Sequence, residues 1–164
     1  MNEQIRRHGI YIAWIISLAA TLGSLYFSEI RGFIPCELCW SQRIFMYPLS
    51  IILGVAVFNN DSGVVRYVLP LSLIGGSISV YHYMVQKIPG FAEVKPCLQG
   101  VPCNVQYINW LGFITIPFLA LTAFLLITLI MIGVRQAFKK IKLIRESSFI
   151  SSSDFLHVRS TTRT

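Results

Sequence analysis

Residues 35–58 read PCELCWSQRIFMYPLSIILGVAVF, and the fold turns on how that stretch is interpreted. Pro35 suits the first turn of a helix and holds Ile34 extended, so a helix is expected to begin near Cys36. From Ile44 to Phe58 the side chains carry no charge. A helix that crosses the hydrocarbon of a bilayer needs about 20 residues, so this run is short by itself. Adding the segment from Cys39 to Arg43 restores the length and sets that segment at the membrane interface. Cys36 and Cys39 are then three residues apart on one helical face.

Three further apolar runs lie around it, at about 10–27, 67–85 and 111–134, with the run just described spanning about 40–58. Only 13% of the 164 residues are charged, against about a quarter in a soluble domain. The expected fold is an all-α membrane protein, a bundle of four transmembrane helices in one domain over residues 1–145. Gly75, Gly76 and Pro117 fall inside spans, where such residues are tolerated. Arg6 and Arg7 precede the first run as they would in a signal peptide. The run is too long for that, no small-x-small site follows before Glu29, and it reads as a retained span. Residues 59–63, rich in turn formers, make spans two and three antiparallel neighbours. Residues 86–109 read as a loop, with Phe91, Tyr107 and Trp110 as interfacial anchors. Residues 146–164 read as a basic, Ser/Thr-rich cytoplasmic tail without fixed structure.

Lys and Arg orient the bundle. Arg6, Arg7, Arg66, Arg135, Lys139, Lys140, Lys142, Arg145, Arg159 and Arg163 fall on one side; Arg31, Arg43, Lys87 and Lys95 fall on the other. Ten against four places both termini in the cytoplasm. The net charge of +7 is concentrated at the ends of the chain, which fits an anionic membrane surface and not a nucleic acid.

Both cysteine pairs, Cys36/Cys39 and Cys97/Cys103, then face outward, where disulfides persist. In the first turn of a helix, free amide groups and the macrodipole favour a thiolate. The second pair closes a short loop bent by Gly100 and Pro102, and a disulfide there adds little stability and suits exchange. A zinc site built from all four sulfurs is the rival reading. Oxidation outside the cytoplasm and the loose spacing of the second pair argue against it, so no metal is expected. Arg43 lies one turn beyond Cys39, and a guanidinium at that depth is expected to have a role. It would stabilise the Cys39 thiolate or bind a carbonyl of an acceptor; its alternative is snorkelling toward Glu37 or a lipid phosphate. His82, with Gln86 one turn above it, lies near the outer end of the third span and offers proton transfer at neutral pH. Oxidising a dithiol releases two electrons and two protons, which a lipid-soluble quinone takes up together.

The segment from Pro35 to Pro48, the YHYMVQ segment at 81–86, the Lys95-Pro96-Cys97 to Pro102-Cys103 loop and YINWLGFITIPF at 107–118 together resemble the disulfide bond formation protein B family. The likeness is to its BdbC-like branch and covers about residues 10–135. It implies a bacterial plasma-membrane oxidoreductase that passes electrons from an outer thioredoxin-fold thiol oxidase of the DsbA/BdbD type to the respiratory quinone pool, menaquinone or ubiquinone. In that resemblance Cys97 forms the mixed disulfide with the partner, Cys103 exchanges with Cys36, and Cys39 meets the quinone. Arg43 matches the family's quinone-site arginine, and His82 and Gln86 match its third-helix His-x-x-x-Gln. The close second pair departs from the better-known branch, whose loop is longer.

Two rival classes stand beside this one. A vitamin K epoxide reductase-like enzyme also joins a Cys-x-x-Cys to a quinone, but there the motif comes late in the chain. A structural membrane protein with static disulfides would titrate at much lower potential than an oxidant.

Overall fold

The computed structural model describes residues 2–61, 63–88, 103, 107–108 and 114–161, without the side chains of 2, 3, 5, 138, 141, 142 and 144–161. Four helices dominate it: α1 (Asn2–Leu25), α2 (Glu37–Asn59), α3 (Val65–Lys87) and α4 (Ile116–Thr161). Each holds a stretch long and apolar enough to cross a membrane: Arg6–Ile30, Glu37–Asn59, Val65–Lys87 and Ile116–Ala137. The chain is a multi-pass membrane protein. In lipid every backbone polar group must bond internally, and helices are how a single segment achieves this.

The helices pack as a square. α1 lies against α2 and α4, and α3 lies against the same two. Leu49, Leu53, Val68, Phe124, Ile127 and Met131 fill the centre with no more than traces of exposed surface. Hydrogen-bonded pairs cross between helices, Thr21 with Ser50 at 2.7 Å and Thr128 with Ser72 at 3.0 Å. Such small polar residues let backbones approach and bond where hydrophobic drive between helices is weak. The outward stripe of α2 is Ile44, Ile51, Val55 and Phe58, all exposed. Their spacing of seven, four and three residues keeps them on one face, and lipid is the solvent that face requires.

Helix ends follow local chemistry. α2 stops at Asn60, which adopts a left-handed conformation (φ 53°) and lets Asp61 N–H reach back to the Ala56 carbonyl. The Asp61 side chain accepts from Gly63 N–H at 2.7 Å, closing the turn into α3. α1 widens into a π turn, Tyr26–Ile30, in which Arg31 N–H bonds to the Tyr26 carbonyl. Gly32, at φ +67°, then turns the chain, and Phe33 N–H bonds to the Phe27 carbonyl.

Two elements differ from the sequence reading. Pro117 is not an interruption within a span; it is the second residue of α4, where its missing N–H is no loss. Residues 146–161, read as a tail without fixed structure, continue α4 instead. No Pro or Gly occurs after Gly133 to end the helix, and 145/146 shows no break. Phe91 and Trp110 lie outside the described residues.

α3 and α4 approach closely at Gly75. A Cβ on this residue would overlap the Phe124 ring, which is fully buried. Replacing Gly75 with Ala is expected to destabilise the protein by about 1–3 kcal/mol, the usual cost of overpacking. Thermal unfolding in detergent checks this, and Phe124→Leu in the same chain should recover part of the loss.

Candidate redox site

The site begins at the N-terminus of α2. Cys36 is the N-cap, with extended backbone (φ −73°, ψ 171°), and its carbonyl accepts the first helical bond from Trp40 N–H at 3.0 Å. Pro35 sits just ahead of the cap, not inside the helix. Cys39 lies in the first turn, so both sulfurs share a face, and Sγ–Sγ is 3.1 Å with both thiols free.

The two sulfurs differ in surroundings. Cys36, buried, packs in a small cluster with Val85 and Cys103. Cys103 is also buried and is held in a disulfide. Cys97 lies outside the described residues. His82, only 1% exposed, places Nε2 3.6 Å from the Cys36 sulfur. Its Nδ1 has no hydrogen-bond partner among the described residues. The Cys36 thiol is held well below the ordinary thiol range, first by the hydrogen bond with Cys39 and then by His82, against the opposing effect of burial.

Cys39 faces a different space. It lines a cavity of about 300 Å³ whose walls are mostly apolar. The room comes from small side chains, Ala19, Ala20 and Gly23 of α1 and Ala120 of α4. On α2 the lining residues are Cys39, Gln42, Arg43, Met46 and Tyr47, a stripe at spacings of three and four. The cavity's aromatic wall is a stack: Phe27 on Phe33 with ring centroids 6.0 Å apart, and Phe33 on Tyr107 at 4.8 Å. The Tyr107 hydroxyl donates to the Ile34 carbonyl at 3.2 Å. Tyr107, expected as an interfacial anchor, forms part of this wall.

Arg43 crosses to α1. Its Nη2 donates to the Ser24 carbonyl at 3.1 Å, and its guanidinium lies 5.5 Å from the Trp40 ring centroid. Ser24 sits just before the π turn, where backbone bonding shifts from four to five residues; such widened turns recur at functional sites. The charge is therefore anchored in the cavity wall.

The sequence grouped His82 and Gln86 with Arg43 around an acceptor. The structure separates them. Neither lines the cavity, and His82 serves Cys36 on the opposite side of the cysteine pair. Gln42 and Tyr47 line the cavity and were passed over by sequence reasoning. The heptad-like stripe running down from Cys39 is the signal that points to them. Both end in buried polar atoms, Gln42 Nε2 and Tyr47 Oη, with no hydrogen-bond partner among the described residues.

The site offers three soft ligand atoms, from Cys36, Cys39 and His82, within 4.8 Å of one another. That trio is short of the four ligands of a closed structural zinc site. On the other side the cavity is mostly apolar, and its lining includes Cys39 together with Gln42 and Tyr47, whose buried polar atoms have no partner among the described residues.

Residues 6–134 match the family model described as Disulfide bond formation protein DsbB. The chain is 64% identical over 122 residues to the Disulfide bond formation protein C of Bacillus subtilis (strain 168), covering 74% of this chain and 88% of the relative. It is 55% identical over 115 residues to a Probable disulfide formation protein C of Halalkalibacterium halodurans, covering 70% and 84%. A Probable disulfide formation protein of Coxiella burnetii is 45% identical over 134 residues, covering 80% and 90%. No solved structure matches.

The unequal surroundings of the two sulfurs give a direct expectation. At about pH 6 an ordinary thiol is less than about 1% thiolate. In the reduced protein a small thiol reagent should nonetheless modify Cys36 at that pH, and the rate should fall only on further acidification. Peptide mass spectrometry reads the modified residue, and His82→Ala should slow the reaction at Cys36.

Proposed function

Taking as premise that this chain belongs to the disulfide bond formation protein DsbB family, in its BdbC-like branch, we propose that it is a protein dithiol:quinone oxidoreductase. It reoxidises a thioredoxin-fold thiol oxidase on the outer face of a bacterial plasma membrane and delivers the electrons to a membrane quinone. Its membership already makes it a membrane disulfide-formation protein. The observation that carries the finer reading is the division between the sulfurs. Cys36 packs with the disulfide-bonded Cys103, and Cys39 lines the apolar cavity.

The chemistry follows as a relay of exchanges. A thiolate of the partner attacks Cys97, the Cys97–Cys103 bond breaks, and Cys103 leaves as a thiolate. The partner's second thiol then attacks the mixed disulfide, so the partner departs oxidised and Cys97 and Cys103 remain reduced. Cys103 attacks Cys36 of the Cys36–Cys39 disulfide, and the electron pair of the broken bond goes to Cys39. That sulfur is the one in the cavity wall, beside the fixed charge of Arg43. Cys97 closes again on Cys103, releasing Cys36, and His82 is placed to take or return a proton at its sulfur. A bound quinone supplies the sink for two electrons and two protons, so the sum is dithiol plus quinone to disulfide plus quinol. Cys39, Arg43, Gln42 and Tyr47 are the residues that would hold it. The branch favours menaquinone.

The Lys and Arg count supports both termini in the cytoplasm and the redox site outside. Purified protein supplied with menaquinone should oxidise a reduced thioredoxin-fold partner with one quinone consumed per dithiol, and Cys39→Ser should abolish turnover. A Cys39→Ser protein that turns over like its parent overturns the reading. In intact cells a membrane-impermeant maleimide should label an Arg31→Cys variant, at an exposed position ahead of Cys36, from outside; labelling from the cytoplasmic side alone overturns the topology.

A further inference from the structure

Two polar side chains in the cavity wall are engaged with backbone carbonyls. Arg43 donates to the Ser24 carbonyl, and Tyr107 donates to the Ile34 carbonyl. Two groups are not. Gln42, 5% exposed, has a buried Nε2 with no partner among the described residues, and the Tyr47 hydroxyl is in the same state. An unsatisfied buried polar group costs about 1–3 kcal/mol. Both belong to residues in the lining of one apolar cavity, on the helix that also carries Cys39. Along α2 they lie three and eight residues beyond Cys39, about 4.5 and 12 Å down the axis.

Resting on the quinone reading above, we propose that Gln42 and Tyr47 are the residues that recognise the two ring oxygens of the acceptor. Their chemistry suits the task in a way that arginine's does not. A quinone presents carbonyl oxygens that only accept; the quinol formed from it presents hydroxyls that also donate. A carboxamide and a phenol can each donate or accept, so both redox forms find a partner without any backbone movement. Arg43 can only donate, and one of its nitrogens is fixed to α1. Arg43 thus supplies charge, and Gln42 and Tyr47 supply recognition of the ring.

The test separates binding from turnover. Full-length protein carrying Cys39→Ser, which cannot exchange electrons, is titrated in detergent with a short-chain menaquinone and with 2-methylnaphthalene, which has a similar ring and no oxygens. Tryptophan fluorescence reads both. Gln42→Leu and Tyr47→Phe are each expected to weaken quinone binding about tenfold, the loss of roughly one hydrogen bond, and to leave the naphthalene affinity unchanged. Quinone binding equal to the parent's in both variants overturns the proposal. So does an equal loss of both ligands, which marks a collapsed cavity. If the parent binds no quinone, the functional reading itself falls, and this assignment falls with it.

Discussion

The Cys36 and Cys39 sulfurs lie 3.1 Å apart at the start of α2, one on the cap residue and one in the first turn. That contact is possible only because the helix begins there. Three residues of helix bring the two side chains to one face, and the cap conformation of Cys36 keeps its sulfur at the boundary of the span. Other groups at this end of the bundle lie beside the pair. Cys103 and His82 approach from one side, and the cavity opens on the other.

A membrane bundle makes such an arrangement expensive, and the structure shows how the expense is contained. Polar groups in the spans are either paired across helices, as Thr128 is with Ser72, or bonded back to their own helix, as Ser79 is to the Gly75 carbonyl. Arg43 is secured by a backbone carbonyl beside the π turn of α1 and by the face of Trp40. Some polar atoms have no such partner among the described residues, Thr115 Oγ1 just ahead of α4 being one. Gln42, Tyr47 and the Nδ1 of His82 are buried without partners among the described residues. They flank the cysteine pair or the cavity beside it.

Much of this was legible in the residues themselves. Uncharged runs announced four spans, because lipid tolerates little else, and the cysteine spacing announced a shared helical face. The depth of Arg43 also followed, since one turn beyond Cys39 leads into the cavity wall. What the sequence concealed was rotation. Topology placed His82 and Arg43 at similar depth but could not say that His82 turns to Cys36, because that depends on how α3 packs in the square. The cavity was hidden for a related reason. Its space is made by Ala19, Ala20 and Gly23 on one helix and filled from another, so no local pattern declares it. The stacking of Tyr107 on Phe33 joins residues from two separate loops and is equally invisible to periodicity.

Phe124 belongs both to the bundle core and to the cavity wall, and it keeps its place because Gly75 has no side chain. α3 contributes no described residue to that wall. Any side chain added at position 75 would push the Phe124 ring, and with it the chamber wall, from a helix that does not itself line the chamber. The chamber's volume is thereby tied to a glycine outside its lining, and a change there would alter what fits without replacing any residue of the wall.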